Sequence, residues 1–256
     1  MIDRLLAALM FFTRLPWWRL RQVDGECFRH VVDYWPFAGW LTGGCMAAVF
    51  AGCAQVFPPM AALVVALAAR TLLTGALHED GLADFCDGTG GTTPERRLAI
   101  MKDSHIGTLG VLGIVFYWCL TLSLLTALPL TVVPPLLFTA DIFAKACSMW
   151  ITHRLPYART EAEAKARVVY VRPHGSALAF HALRGLLALL PAVIWYALTF
   201  PPQLFAAFLL PPFTFVMLTR WMRRRLGGYT GDCCGATFLL CELSFYIGFC
   251  ILHTLL

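Results

Sequence analysis

Apolar runs of about twenty residues recur along the chain, and a run of that length crosses the hydrocarbon core of a bilayer as one helix. Seven stretches fit: 35–56, 59–78, 108–128, 133–153, 181–200, 203–219 and 236–256. Three of the connections carry no charge and are rich in proline: Phe57 to Pro59, Pro129 to Val132, and Pro201-Pro202. Proline there suits a sharp stop between antiparallel helices. The first apolar stretch, Leu5 to Phe12, is too short to span. Asp3 and Arg4 precede it, Arg14-Leu15-Pro16 follows it, and no small-residue cleavage site appears, so it does not read as a signal peptide. It predicts an interfacial helix, with Trp17 and Trp18 at headgroup level.

Composition agrees with this pattern. Only 14% of residues are charged and mean hydropathy is +0.70, whereas soluble domains carry about 25% charged residues. The expected fold is an all-α, polytopic membrane bundle of about seven spans, forming one catalytic domain over 1–256. Residues 1–34 form its N-terminal segment, and 79–107, 154–180 and 220–235 form its cytoplasmic loops. The ten cysteines show no Cys-x-x-Cys spacing and mostly sit in apolar runs, as small buried hydrophobes do.

Basic residues set the orientation. Of twenty Lys and Arg, only Arg70 and Lys145 lie deep within spans; the others fall in or beside the N-terminus, 79–107, 154–184 and 220–235. The positive-inside rule puts those four segments in the cytoplasm, with the N-terminus inside and the C-terminus outside. The net charge of +5 needs no nucleic-acid partner, because Arg223, Arg224 and Arg225 directly follow a span, as a topology anchor at an anionic lipid surface does.

One segment departs from the pattern. Between His78 and Gly88, four of the fifteen acidic residues fall within nine positions: Glu79, Asp80, Asp84 and Asp87. If the preceding helix runs on, Asp80, Asp84 and Asp87 stand at i, i+4 and i+7 on one face, near a helix C-terminus that disfavours anions. A hard cation offsets such crowding, and Mg²⁺ in particular is commonly shared between carboxylates and substrate phosphates. Glu79 lies about 100° round the helix, suited to a second ion or to supporting the first.

Two further loops face the same side. Thr93 is a candidate N-cap with Pro94 behind it, opening a helix that returns Arg96, Arg97, Lys102 and Asp103 to the acidic segment. The run Gly227 to Ala236 is glycine-rich and opens the last span, where its backbone N–H groups could hold an anion and Asp232 could complete a metal site. Glu242 lies inside that span, and Asp141 and Lys145 are spaced for an internal ion pair. The basic loop 154–180 reads as a cytoplasmic flap or a lipid-surface segment. A transporter could also use the intramembrane charges, although the densest acids lie at one face and not at the midplane.

Four blocks together resemble the cobalamin synthase family, the adenosylcobinamide-GDP ribazoletransferases: Phe12-Thr13-Arg14-Leu15-Pro16; Gly75-Ala76-Leu77-His78 with Asp80-Gly81-Leu82-Ala83-Asp84 and Asp87-Gly88; Met101-Lys102-Asp103-Ser104 with Ile106-Gly107-Thr108 and Gly110; and Gly227 to Asp232 with Gly235-Ala236. The resemblance implies a Mg²⁺-dependent transferase of the bacterial inner (cytoplasmic) membrane, its site facing the cytoplasm. It would join adenosylcobinamide-GDP to α-ribazole or its 5′-phosphate and release GMP. The implied metal ligands are drawn from Glu79, Asp80, Asp84, Asp87, Asp103 and Asp232. Arg14, Arg96, Lys102, Ser104, Gly228, Tyr229 and Thr230 are implied to bind substrate, and Asp84 or Asp87 to take the hydroxyl proton. Association as a homo-oligomer or with other enzymes of the pathway is compatible with this reading. Asp84-x-x-Asp87-Gly88 is also similar to the start of the CDP-alcohol phosphotransferase motif, but Thr89-Gly90-Gly91 follows where that motif continues with Ala-Arg.

Overall fold

A computed structural model describes residues 1–159 and 169–256. Among them no β-strand forms, and the chain is an all-α polytopic membrane protein. Its helices are α1 (Ile2–Phe12), α2 (Trp35–Cys53), α3 (Pro59–Thr74), α4 (Leu77–Gly88), α5 (Pro94–Lys102), α6 (Thr108–Thr126), α7 (Val133–Ser148), α8 (Ile151–Arg154), α9 (Ser176–Thr199), α10 (Leu210–Arg225) and α11 (Gly231–Leu255). Part of the basic 154–180 loop lies outside the described residues.

Each of the seven expected stretches contains helix. Five helical segments are long and apolar enough to cross a membrane: Gly25–Cys53, Thr108–Thr126, Ser176–Thr199, Pro202–Arg225 and Gly231–Leu255. The bent pair α3 and α4 makes a sixth if counted as one span. The remaining stretch, α7, is only 16 residues long and carries Asp141 and Lys145, yet it is buried along most of its length. The chain turns at Met149-Trp150 and resumes in α8.

The expected continuous helix through the acidic segment does not form. α3 stops at Thr74, and Gly75 and Ala76 both take left-handed backbone angles, with φ +67° and +58°. α4 then leaves at 90° to α3. A left-handed alanine costs about 1–2 kcal/mol, so this corner is held by packing: the Arg14 side chain lies directly over Gly75, and the Arg14 N–H donates to Leu73 O at 2.7 Å. The bend reverses the electrostatics inferred for the segment. Glu79 and Asp80 lie in the first turn of α4, where the helix dipole favours anions.

α1 is more than an interfacial element. Ala7, Ala8 and Phe12 are buried, and Phe12 stacks on Trp35 at 5.0 Å between ring centroids. The outer faces of α6 and α9 expose rows of large apolar side chains, among them Val115, Phe116, Leu186, Leu190 and Ile194, as lipid-facing surfaces do.

α11 runs through the bundle, buried from Asp232 to Phe249 over most of its positions. Two apolar clusters surround it. One centres on Trp35, Phe238 and Leu82, the other on Tyr196, Phe245 and Phe249. Beside Phe238 the intramembrane charges meet. Arg70 donates to Glu242 at 2.6 Å and to the Tyr117 hydroxyl at 2.8 Å, while Tyr117 and Tyr246 donate to Glu242 at 2.6 and 3.2 Å. Lys145 pairs with Asp141 and donates to Thr42 at 2.7 Å, and Thr42 donates to Asp141 at 2.8 Å. Arg70 also lies 3.6 Å from Asp141, which makes two pairs into one neutral array. Lys145 and Arg70 both sit over the Phe238 ring, at 4.2 and 5.5 Å.

Removing one partner of a buried pair strands the other charge and costs about 3–5 kcal/mol, whereas removing both with apolar groups is often nearly neutral. Arg70→Met should therefore lower the melting temperature in detergent sharply, and Arg70→Met with Glu242→Met should recover most of it. A double variant less stable than the single one would contradict the array's role.

Candidate active site

The acidic site is made where α4 crosses α11. Glycines permit the crossing. A Cβ on Gly81 would stand 2.9 Å from the Asp232 carbonyl oxygen, and one on Gly235 would stand 3.0 Å from that of His78. Backbone-to-backbone approach brings carboxylate oxygens of Asp80, Asp84 and Asp232 within 4.8 Å of one another. Asp84 and Asp232 are 8% and 7% exposed, and Asp80 is open to solvent. Thr230 caps α11 by accepting from the Cys233 N–H at 3.4 Å, and its hydroxyl donates to Asp232 at 3.3 Å. Mg²⁺ binds oxygens at about 2.0–2.1 Å in octahedral geometry, which sets ligand oxygens about 3–4 Å apart. Three carboxylates at this spacing, one of them solvent-facing, suit such an ion.

A cavity of about 110 Å³ adjoins the cluster. Asp80, Asp232, His78 and Arg159 contribute its polar wall, and Phe11, Phe12, Trp35, Tyr157 and Tyr170 its aromatic wall. Arg159 is held by donation to Leu98 O at 2.8 Å and lies 3.7 Å from Asp232. Burial pushes the Tyr157 hydroxyl up to about 12, so it stays a neutral donor at physiological pH. His78 is buried against Phe238 at 4.7 Å, with its Nε2 lacking a hydrogen-bond partner.

The other residues expected at the site lie around it. Asp87 is not brought to the cluster. It stands two turns beyond Asp80 and faces α6, where its carboxylate accepts from the N–H groups of Gly107 and Gly110 at 2.7 and 2.8 Å. The positive end of α6 thereby offsets an anion near the C-terminus of α4. A Cβ at Gly107 or Gly110 would collide with this carboxylate. Glu79 points the other way, accepting from Thr71 at 3.1 Å within electrostatic reach of Arg70. Asp103 is exposed on the α5–α6 connection and is held below the usual carboxylate range by the backbone N–H and ring of His105.

Thr93 does cap α5, accepting from the Arg96 N–H at 3.2 Å. Arg96, Lys102 and Ser104 are exposed around that helix, and Arg14 is exposed at the α3–α4 corner. Arg97 instead turns inward over Trp221, 5.9 Å from its ring. The glycine loop serves the chain's own backbone: Tyr229 N–H donates to Pro156 O at 3.0 Å, and Ala158 N–H to Tyr229 O at 2.8 Å. Gly228 is required for this contact, since a Cβ there would meet Pro156 O. Tyr229 is buried, edge-on to Tyr157 at 5.2 Å. Arg159, His78 and the aromatic wall were absent from the sequence-derived site. Arg159 is one basic residue among several in a loop, and nothing in the sequence marks Phe11, Phe12, Trp35, Tyr157 and Tyr170 as sharing one wall.

Comparison with known proteins gives the family. The model of cobalamin-5-phosphate synthase matches residues 4–250. The chain belongs to that family. It is 36% identical to an adenosylcobinamide-GDP ribazoletransferase of Shewanella amazonensis, over 96% of this chain and 94% of that one. It is 38% identical to one of Leptothrix cholodnii, over 94% and 92%. A third, from Desulfitobacterium hafniense, is 36% identical over 96% and 95%. No solved structure matches it.

If the glycine crossing sets the carboxylate spacing, Gly81→Ala should weaken divalent-cation binding, measured with Mn²⁺ by electron paramagnetic resonance, and cost about 1–3 kcal/mol in stability. Gly25→Ala, where an added Cβ meets nothing, should alter neither.

Proposed function

We propose that this chain is an adenosylcobinamide-GDP ribazoletransferase that uses Mg²⁺ at Asp80, Asp84 and Asp232. Family membership supports a transferase of cobalamin biosynthesis. The observation that carries the finer reading is the convergence of these three carboxylates beside a cavity with an aromatic wall and a buried arginine.

In the reaction a ribose hydroxyl of α-ribazole, or of its 5′-phosphate, attacks the cobinamide-linked phosphorus of adenosylcobinamide-GDP. A new P–O bond forms, the anhydride P–O bond breaks, and GMP leaves with the bonding electrons. Such a transfer needs charge neutralisation and in-line positioning more than covalent catalysis. A bound Mg²⁺ would supply Lewis-acid polarisation of phosphoryl oxygens and neutralise charge on the departing GMP. Arg159 lines the cavity and can hold a phosphate oxygen by charge-assisted hydrogen bonding. Tyr157 and Tyr170 on the cavity wall bring aromatic surface to a planar base. The hydroxyl proton would pass to a carboxylate oxygen not engaged by the ion, on Asp84 or on Asp87, whose carboxylate also accepts the Gly107 and Gly110 N–H groups. The site faces the cytoplasm in this reading, where nucleotide substrates are available, in a multi-pass inner-membrane protein with its N-terminus inside.

The intramembrane charges that suggested transport pair with one another in the bundle. Membranes carrying the protein should release GMP when given adenosylcobinamide-GDP, α-ribazole and Mg²⁺. Chelation should abolish release. Asp84→Asn should reduce it at least about a hundredfold, the scale of losing one electrostatic contact to developing charge, while the protein stays in the membrane. Unchanged turnover in that variant would reject the site.

A further inference from the structure

Away from the acidic cluster, a second cavity of about 270 Å³ opens between α1, the 3-10 segment Gly25–Tyr34, the stretch Val171–Pro173 and the start of α9. Three arginines from separate parts of the chain line it: Arg4, Arg172 and Arg184. Among the described residues its one carboxylate, Asp33, is already engaged. Asp33 meets the ring Nδ1 of His181 at 2.9 Å and that of His30 at 3.2 Å, and Arg184 lies 3.7 Å away. Among the described residues neither Arg4 nor Arg172 has an ion-pair partner. Among the described residues, three fixed positive charges therefore face one negative charge. Ser176 and Ala177, in the first turn of α9, complete the rim and add the positive end of a 24-residue helix.

The cavity is polar on one side only. Phe180 lines it and is 58% exposed, and Leu183 and Leu187 continue an exposed apolar strip down α9. A cationic cradle at the head of a lipid-facing strip matches a phosphate group that carries acyl chains, not a free ion. Its volume, that of about nine liquid waters, admits a phosphodiester. We propose that Arg4, Arg172 and Arg184 form a binding site for the phosphate of an anionic phospholipid, with the chains lying along α9. The site is separate from the transferase cavity, and the proposal does not depend on the reaction assigned above.

The test uses the full-length protein reconstituted in phosphatidylcholine bilayers containing a minor share of phosphatidylglycerol, then released gently and examined by native mass spectrometry. Wild type should retain phosphatidylglycerol well above its bulk share. Arg172→Ala and Arg4→Ala, which break no ion pair, should each reduce that retention about fivefold, the worth of one basic group near an anionic surface. Both variants should keep wild-type melting temperatures. Retention at the bulk ratio, or retention unchanged in both variants, would overturn the proposal. Loss of the lipid on adding millimolar inorganic phosphate in its place would assign the pocket to a soluble phosphate and overturn the lipid reading.

Discussion

Charge neutrality inside the bundle is the constraint on which the rest is built. Arg70, Lys145, Asp141 and Glu242 come from α3, α7 and α11, with hydroxyls from α2, α6 and α11 completing their hydrogen bonds. No one of these charges is tolerable alone in an apolar interior. Their pairing therefore sets the relative rotation and depth of five helices. Once α11 is fixed by Glu242, the position of Asp232 in its first turn follows, and once α3 is fixed by Arg70, so does the corner from which α4 departs.

The acidic site then depends on two local devices. The corner at Gly75-Ala76 separates α4 from α3 and turns it across α11. The glycines at the crossing remove the side-chain layer that normally keeps helices about 8–10 Å apart. Acidic residues from segments nearly 150 positions apart thus share one small volume, and the α4 dipole partly compensates their repulsion.

Much of this was legible in the sequence. Apolar runs located the helices, because lipid imposes length and hydrophobicity on each span individually. The acidic segment and the Gly227–Ala236 loop were legible as a pair, since both break the apolar pattern beside basic residues. The corner was not. Gly75 lies inside an apolar run, and an alanine with positive φ gives no compositional sign. Helical spacing placed Asp87 with Asp80 and Asp84, but spacing cannot say which neighbour each turn faces, and Asp87 met α6. The pairing of Arg70 with Glu242 was equally hidden, being 172 residues apart in the chain. The balance of two cations against two anions within the spans was its only trace.

The Asp87 contacts have a consequence for the stretch between α4 and α6. Both ends of that stretch meet at one carboxylate, so residues 88 to 106 form a hoop closed by two hydrogen bonds. The closure entropy of a hoop depends only weakly on its length, so insertions within it leave its anchorage nearly intact. Arg96, Lys102 and Ser104 ride on the hoop. The exposed side chains are thus carried by a segment anchored at both ends through one carboxylate, and α5 within it is held further by the buried Arg97 and Met101.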